Sequence, residues 1–456
     1  MRKIYSSAVV DPALCNGDKI CENICVTKAI AVEFALFILS LLFYGGCSLV
    51  KPDIEKEAPQ SGRDLVCQAL SPSRVNPTVL KKSGVVATAF SSTTIDPTKP
   101  LKGLDPNGKH GGEPFDMELR DGTRVGGLFF EYDNETGGPS PLIMASFGFL
   151  QDRWGSEAAK FYELYMEDPE DRIPAHVLIL DHPTAGPFMA NNGHLSMGSY
   201  DDARMWIEVA QRIGQDRVFS GIHLLGVSMS GQTVVHALIE DKRLGLGLFR
   251  SGMAFSIAPD YCQVPGRQLA QLKTPEGTEN PWKDGCRTVH MNGGADAMQA
   301  KALLALINKQ FVPHYHEAHP EDREFDIKSV DVPVFLRKAC DKRISFLRKQ
   351  NSATWSKKDF SLASLESFMT TTRIARVIGR VETPLVLVSC HDDPAVDHRL
   401  FEEVVLAAAD NPWVAAYETK DGGHFGFNVV YGKDYLGRII RLMLEPNVLD
   451  TWNVRQ

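Results

Sequence analysis

From residue 111 onward, short apolar runs bounded by glycine, proline or aspartate alternate with segments of helical period, and this alternation leaves few architectures open. MELRDGTRVGGLFFEYD reads as two strands joined by the hairpin pair Asp121-Gly122. PLIMASFGF (141–149), AHVLILDHPTAG (175–186), VFSGIHLLGVS (218–228), SGMAFSIAP (251–259), TPLVLVSCHDDP (383–394) and WVAAYET read as further strands. Between them RWGSEAAKFYELYME (153–167), DDARMWIEVAQRI (201–213), TVVHALIEDKR (233–243) and FEEVVLAAA (401–409) carry helical period. Strands that alternate with helices predict an α/β fold, a mostly parallel sheet covered by helices on both faces. In such sheets chemistry gathers at the carboxyl ends of the strands.

One strand end stands out. In IHLLGVSMSGQTVVHALIE an apolar strand runs through a tight turn into a helix, the setting of a nucleophile elbow, G-x-S-x-G. Small residues flank such a serine because the turn presses backbone against backbone. Gly226 fits, and Ser230 stands where the second glycine would be. Framing the elbow on Ser230 would put Gln232 at the second small position, so Ser228 is the better nucleophile. The plain alternative is a polar strand-to-helix turn. A serine hydroxyl needs a base, and the base needs an acid to orient it. Asp393 lies at the end of TPLVLVS, just before Pro394, with Asp392 beside it and also eligible. His424 follows WVAAYET in the glycine loop KDGGHFGF. Singly, an Asp-Asp-Pro is a turn and a histidine among glycines is a polar loop. Placed together at three strand ends, in the order serine, acid, histidine, they make a triad candidate.

The pieces LLGVSMSGQ, TPLVLVSCHDDP and GGHFGF, together with HLSMGSYDDARMWIEVA, resemble the serine α/β-hydrolases, and most closely their YheT-like branch, over about residues 111–445. The resemblance implies hydrolysis of carboxylic esters, lipid-like esters or thioesters included, through an acyl-enzyme on Ser228, with His424 and Asp393 as partners and no metal or organic cofactor. It also implies an oxyanion hole built from the Met229 amide and from the Phe149 amide after PLIMAS, where Phe147 replaces the usual histidine. A serine peptidase of the same fold would use the same parts. A catalytically silent relative that binds a ligand or partner under the cap is the further alternative: the intact triad argues against it, and the Ser230 and Phe147 departures keep it open.

About 120 residues separate Pro259 from Thr383, far more than one crossover helix needs. ADAMQAKALLALINKQF (295–311), VFLRKACDKRISFLRK (334–349) and LASLESFMTTTRIARVI (362–378) predict a helical cap within about 260–380. Its basic positions Arg337, Lys338, Lys342, Arg343, Arg348 and Lys349 read as a solvated face, with a membrane-facing patch as the rival. His314, His316 and His319 echo a zinc-hydrolase motif, but Ala318 stands where that motif needs an acid, so the segment reads as a solvated loop.

The amino-terminal region reads separately. AIAVEFALFILSLLFYGG (29–46) is almost wholly apolar and ends at Gly45-Gly46-Cys47, which resembles the lipobox of bacterial lipoproteins. That resemblance implies lipidation of Cys47 and a membrane-associated, extracytoplasmic chain. An uncleaved single-pass anchor is the alternative. Residues 1–47 thus form a signal or anchor, 48–110 a linker or lead-in, and 111–456 the catalytic domain. Export would allow Cys262 and Cys286 to pair; otherwise they stand as two free thiols. With 49 basic against 57 acidic residues and a net charge of −8, the chain offers no nucleic-acid surface.

Overall fold

Eight strands of the chain form one sheet in the order β1-β2-β4-β3-β5-β6-β7-β8. The computed structural model describes residues 61–71 and 112–452, apart from 135–136, 168–171, 197–199, 262–268, 270–271, 275, 282–331, 350–372, 394 and 433. The strands are β1 (Gly112–Glu118), β2 (Arg124–Phe130), β3 (Leu142–Ser146), β4 (His176–Leu180), β5 (Ile222–Val227), β6 (Phe249–Phe255), β7 (Leu385–Cys390) and β8 (Val414–Thr419). β2 runs antiparallel to both β1 and β4, and every later pairing is parallel. This is the α/β-hydrolase fold. At the β1–β2 turn Gly122 takes φ +83°, and the Thr123 amide donates to Asp121 Oδ1 at 2.9 Å. These are the two features that an Asp-Gly hairpin offers.

β3 and β7 are buried at every position, which is why their sequences run apolar instead of alternating. Leu142 and Met144 of β3, Leu224 of β5 and Leu385 and Leu387 of β7 share one face. They pack there against Trp206 and Val209 of α4 (Tyr200–Asp216) and Val234 and Leu238 of α5 (Met229–Leu244). The remaining helices are α1 (Gly62–Leu70), α2 (Ser156–Tyr165), α3 (Gly186–Asn192), α6 (Val332–Lys349), α7 (His398–Ala408), α8 (Phe427–Tyr431), α9 (Tyr435–Leu442) and α10 (Pro446–Asp450).

Three expectations change. First, α1 lies inside the segment read as a linker. Ser61 and Asp64 form a capping box at its start. Its last carbonyls accept from the Tyr435 hydroxyl at Leu70 (2.7 Å) and from Arg438 at Ala69 (2.7 Å). Gly62 is needed because a Cβ there would come within 1.7 Å of the Val448 carbonyl oxygen. The helix is short, so its stability comes from docking, which local sequence does not display. Second, the carboxyl end of the helix expected over 362–378 is two 3₁₀ turns, Ile374–Arg376 and Ile378–Arg380. Ile374 and Ile378 are fully buried there, and packing sets the course of the chain.

Third, the solvated-face reading of the cap fails at Arg343. Leu336, Ala339, Cys340 and Ile344 of α6 are buried, and helical spacing turns Arg343 inward with them. Its Nε and Nη2 donate to the two Asp201 carboxylate oxygens at 2.7 Å each, and Nη1 donates to Thr123 Oγ1 at 2.9 Å. Burial alone would push Asp201 up, but Arg343 holds it below the usual carboxylate range. Lys338 and Lys342 are exposed, and Arg337 pairs with Asp341.

Residues 1–47 with Cys47, the cysteines at 262 and 286, the cap segment 295–311 and the histidines at 314, 316 and 319 lie outside the described residues. Among the described residues no helix is long and apolar enough to cross a membrane.

Candidate active site

β5 ends at Val227, α5 begins at Met229, and Ser228 between them takes φ 57° and ψ −122°. Positive φ on a non-glycine residue costs about 1–3 kcal/mol and persists only where the surroundings enforce it. Here the Ser228 amide donates to the Phe255 carbonyl at 2.9 Å, and its carbonyl accepts from Ala258 at 3.1 Å. A side chain at Gly226 would meet the Ser230 carbonyl oxygen at 2.3 Å, so the first small position of the elbow admits glycine alone.

Ser230 has a different task from Ser228. Its hydroxyl is fully buried, accepts from the Gly148 amide at 2.9 Å and donates to Ser146 Oγ at 3.0 Å. Ser230 thereby ties the elbow to the loop after β3. Gly148 in that loop has φ +93°, and a Cβ on it would lie 2.9 Å from Ser228 Cβ and 3.3 Å from the Met229 nitrogen. Only glycine lets the loop approach the serine this closely. The Gly148 amide is already spent on Ser230, which leaves Phe149, next along, as the loop's candidate oxyanion donor. The Met229 amide is the other candidate. It opens α5, where a first-turn N–H has no intrahelical acceptor and the helix dipole is positive. Phe147, standing where the family pattern has histidine, is a core residue 4% exposed and packed on Phe161. Leu150 is held in turn by the Thr184 hydroxyl at 2.8 Å, and that hydroxyl contacts His182 Nδ1 at 2.7 Å.

At the other side, His424 Nδ1 lies 2.7 Å from Asp393 Oδ2. The Asp393 side chain is closed to solvent, at 0% exposure, and its Oδ1 accepts from the Ala395 and Val396 amides at 2.7 and 3.0 Å. A carboxylate held this way favours a proton on Nδ1 of the imidazole and leaves Nε2 as the basic nitrogen. Asp392, the other eligible acid, is engaged elsewhere: its Oδ1 accepts from the Gly423 amide at 2.8 Å. Thus one aspartate faces the ring and its neighbour holds the backbone of the same loop. Gly422 and Gly423, at φ +148° and +60°, let the loop turn there.

Sequence reasoning missed Ser256. It follows β6 with φ 48°, and its hydroxyl donates to the His424 carbonyl at 2.5 Å. The residue before it, Phe255, accepts from the Ser228 amide. Two consecutive residues at the end of β6 therefore anchor both Ser228 and His424. No sequence signal marks Ser256, because its importance comes from β6 lying between β5 and β7. Cys390 adds a further tie, its thiol donating to the Gly423 carbonyl at 2.7 Å.

No family model matches the chain, and no curated protein matches it. Among solved structures it is similar to a puromycin-hydrolyzing peptidase of Mycobacterium tuberculosis, with TM-score 0.40 and 12% identity over 74% of this chain and 41% of that one. It is similar to a 2,6-dihydroxy-pseudo-oxynicotine hydrolase, with TM-score 0.43 and 13% identity over 73% and 67% of the two chains. An esterase of Pyrococcus furiosus gives TM-score 0.38 and 14% identity over 75% and 98%. The chain spans less than half the length of the peptidase. Strand order and the turn at Ser228, rather than these distant overlays, give the chain its α/β-hydrolase fold.

Proposed function

We propose that the chain is a serine hydrolase of carboxylic esters, of the YheT-like branch, with Ser228 as nucleophile, His424 as base and Asp393 as the orienting acid. The observation that carries this reading is the 2.7 Å contact between His424 Nδ1 and Asp393, on a loop anchored beside the elbow through Phe255 and Ser256. In the proposed cycle His424 Nε2 takes the Ser228 proton as Oγ attacks the ester carbonyl. In this reading the Met229 and Phe149 amides donate to the resulting oxyanion, charge that develops only in the transition state. Collapse expels the alcohol, which takes the proton from His424, and leaves an acyl-serine. Water, deprotonated by the same imidazole, attacks the acyl carbon, and the second collapse returns the proton to Ser228 and releases the acid.

Fluorophosphonate labelling is the test. The wild-type chain is expected to label at Ser228 and hydrolyse short p-nitrophenyl esters, and Ser228→Ala to do neither. A wild-type chain that does not label is the silent ligand-binding relative. Matched ester and anilide substrates separate esterase from peptidase, since the same groups serve both reactions.

For the amino terminus the proposal is lipidation of Cys47 and an extracytoplasmic, membrane-tethered domain acting on small or lipid-like esters. Its support is the apolar run closed by Gly45-Gly46-Cys47. Intact-mass analysis of the membrane-extracted protein checks it. A mature species retaining residues 1–46 with an unmodified Cys47 would point to the uncleaved anchor.

A further inference from the structure

The end of β7 carries a second cluster of chemistry beside the acid loop. His391, directly before Asp392 and Asp393, meets His398 and Glu402 of α7. One ligand atom from each of the three lies within 4.8 Å of the others. His398 and Glu402 are four residues apart, so both project from one face of the helix. The His391 and His398 rings lie 3.9 Å apart between centroids, tilted by 40°. Such close imidazoles repel if both are protonated and are compatible as neutral donors. His391 and Glu402 are exposed and His398 half-buried, so the cluster is open to solvent on one side.

Glu418 of β8 feels the Glu402 charge, and among the described residues its buried Oε1 has no hydrogen-bond partner. Two imidazoles and the Glu402 carboxylate converge there, and the Glu402 charge reaches the Glu418 carboxyl. Two histidines and a carboxylate with an open side are a donor set for a first-row divalent ion. Bonds of about 2.0–2.2 Å in tetrahedral geometry need ligand atoms about 3.3–3.6 Å apart. Side-chain rotation of the exposed His391 and Glu402 supplies that closure.

We infer that His391, His398 and Glu402 form a binding site for a divalent transition-metal ion that clips the acid loop after β7 to helix α7. The ion plays no part in the proposed acyl transfer. It holds His391, and so the backbone leading into Asp392 and Asp393, against the helix that follows.

Zinc titration of the full-length chain by calorimetry, with visible absorption of the cobalt-loaded protein, tests this. One zinc ion is expected to bind, raise Tm and give cobalt d–d bands. His398→Ala and the near-isosteric Glu402→Gln are each expected to weaken binding at least tenfold and abolish the bands, with Tm in chelator unchanged. Because Glu402→Gln alters an exposed group and preserves its shape, loss of binding there cannot be ascribed to misfolding. A His314→Ala, His316→Ala double variant is expected to bind like the wild type. Absence of zinc binding would overturn the proposal. So would binding that survives His398→Ala or is lost with His314 and His316.

Discussion

At the scale of single residues the two serines of the elbow separate by geometry. Ser228 sits at the strained turn, and Ser230 holds Gly148 from behind. Ser228→Ala is expected to abolish turnover and labelling. Ser230→Ala should leave labelling intact but orphan the buried Gly148 amide, which costs about 1–3 kcal/mol. The loop carrying Phe149 then loosens, so kcat is expected to fall about tenfold with KM little changed. Equal loss of labelling in both variants would refute this division of labour. Asp393→Asn is expected to lower kcat by about 10⁴, because the ring loses the acid that sets its tautomer. Asp392→Asn, whose carboxylate holds the Gly423 amide and not the ring, should cost far less. A larger loss at Asp392 would move the orienting acid to that position. Ser228 and His424 were legible as candidates because strand ends and glycine turns show in one dimension. Spacing left Asp392 and Asp393 both open, and only the resemblance chose Asp393; the role of Ser256 was not legible at all, because it depends on which strand lies beside which.

Elements divide in the same way. Strands β3 to β8 were legible, since buried parallel strands write themselves as apolar runs, whereas β1, antiparallel and largely exposed, starts at Gly112, ahead of the Met117 at which the sequence pattern begins it. Helix α3 and the carboxyl-terminal helices α8, α9 and α10 are short and take their form from packing, so their local sequence says little. Helix α6 was legible as a helix, and its inward face was not, because a basic residue in a basic stretch reads as solvated until its partner is known. The partner is Asp201 at the start of α4, with both side chains nearly closed to solvent, at 3% and 4% exposure. Removing one member of a buried pair leaves the other charge stranded, at about 3–5 kcal/mol. Arg343→Met is therefore expected to lower stability by about that much, and Asp201→Asn to do likewise. The double variant Arg343→Met, Asp201→Leu should recover most of the loss, since a well-packed apolar pair often replaces a buried ion pair at no net cost. Denaturant unfolding of the four proteins measures this. Additive losses in the double variant would show that the two residues act separately.

For the whole molecule the sheet order follows from α/β alternation only in part. That β3 and β4 exchange places, so that β5 neighbours β3, is a matter of crossover connections that no residue announces. The same closely packed sheet buries histidines whose titration governs the stability of the entire fold. Burial pushes His182 and His236 down to about 3 and His194 and His223 down to about 4. In the unfolded chain each returns to about 6.5. Between those values the unfolded state binds the proton and the native state does not, so stability rises with pH there. The stabilisation is complete above about pH 6.5 and is lost as pH falls toward 4, at a slope of up to about 1.4 kcal/mol per pH unit for each histidine. Glu418, held near 7 mainly by burial and then by the Glu402 charge, works in the opposite sense. Its native carboxyl keeps a proton that the unfolded one releases above about pH 4.3, so stability falls as pH rises from there through 7. His176 is pushed down by burial as well, and Asp241 is pushed up like Glu418, so the histidines outnumber the carboxyls and the net expectation is acid-labile folding with a steep loss between pH 6.5 and 4. Denaturant midpoints measured every half pH unit report the slope. His236→Gln, a change at a fully buried position of α5, is expected to reduce it by about one proton. A flat profile between pH 6.5 and 4.5 would mean that these imidazoles are already charged in the native fold.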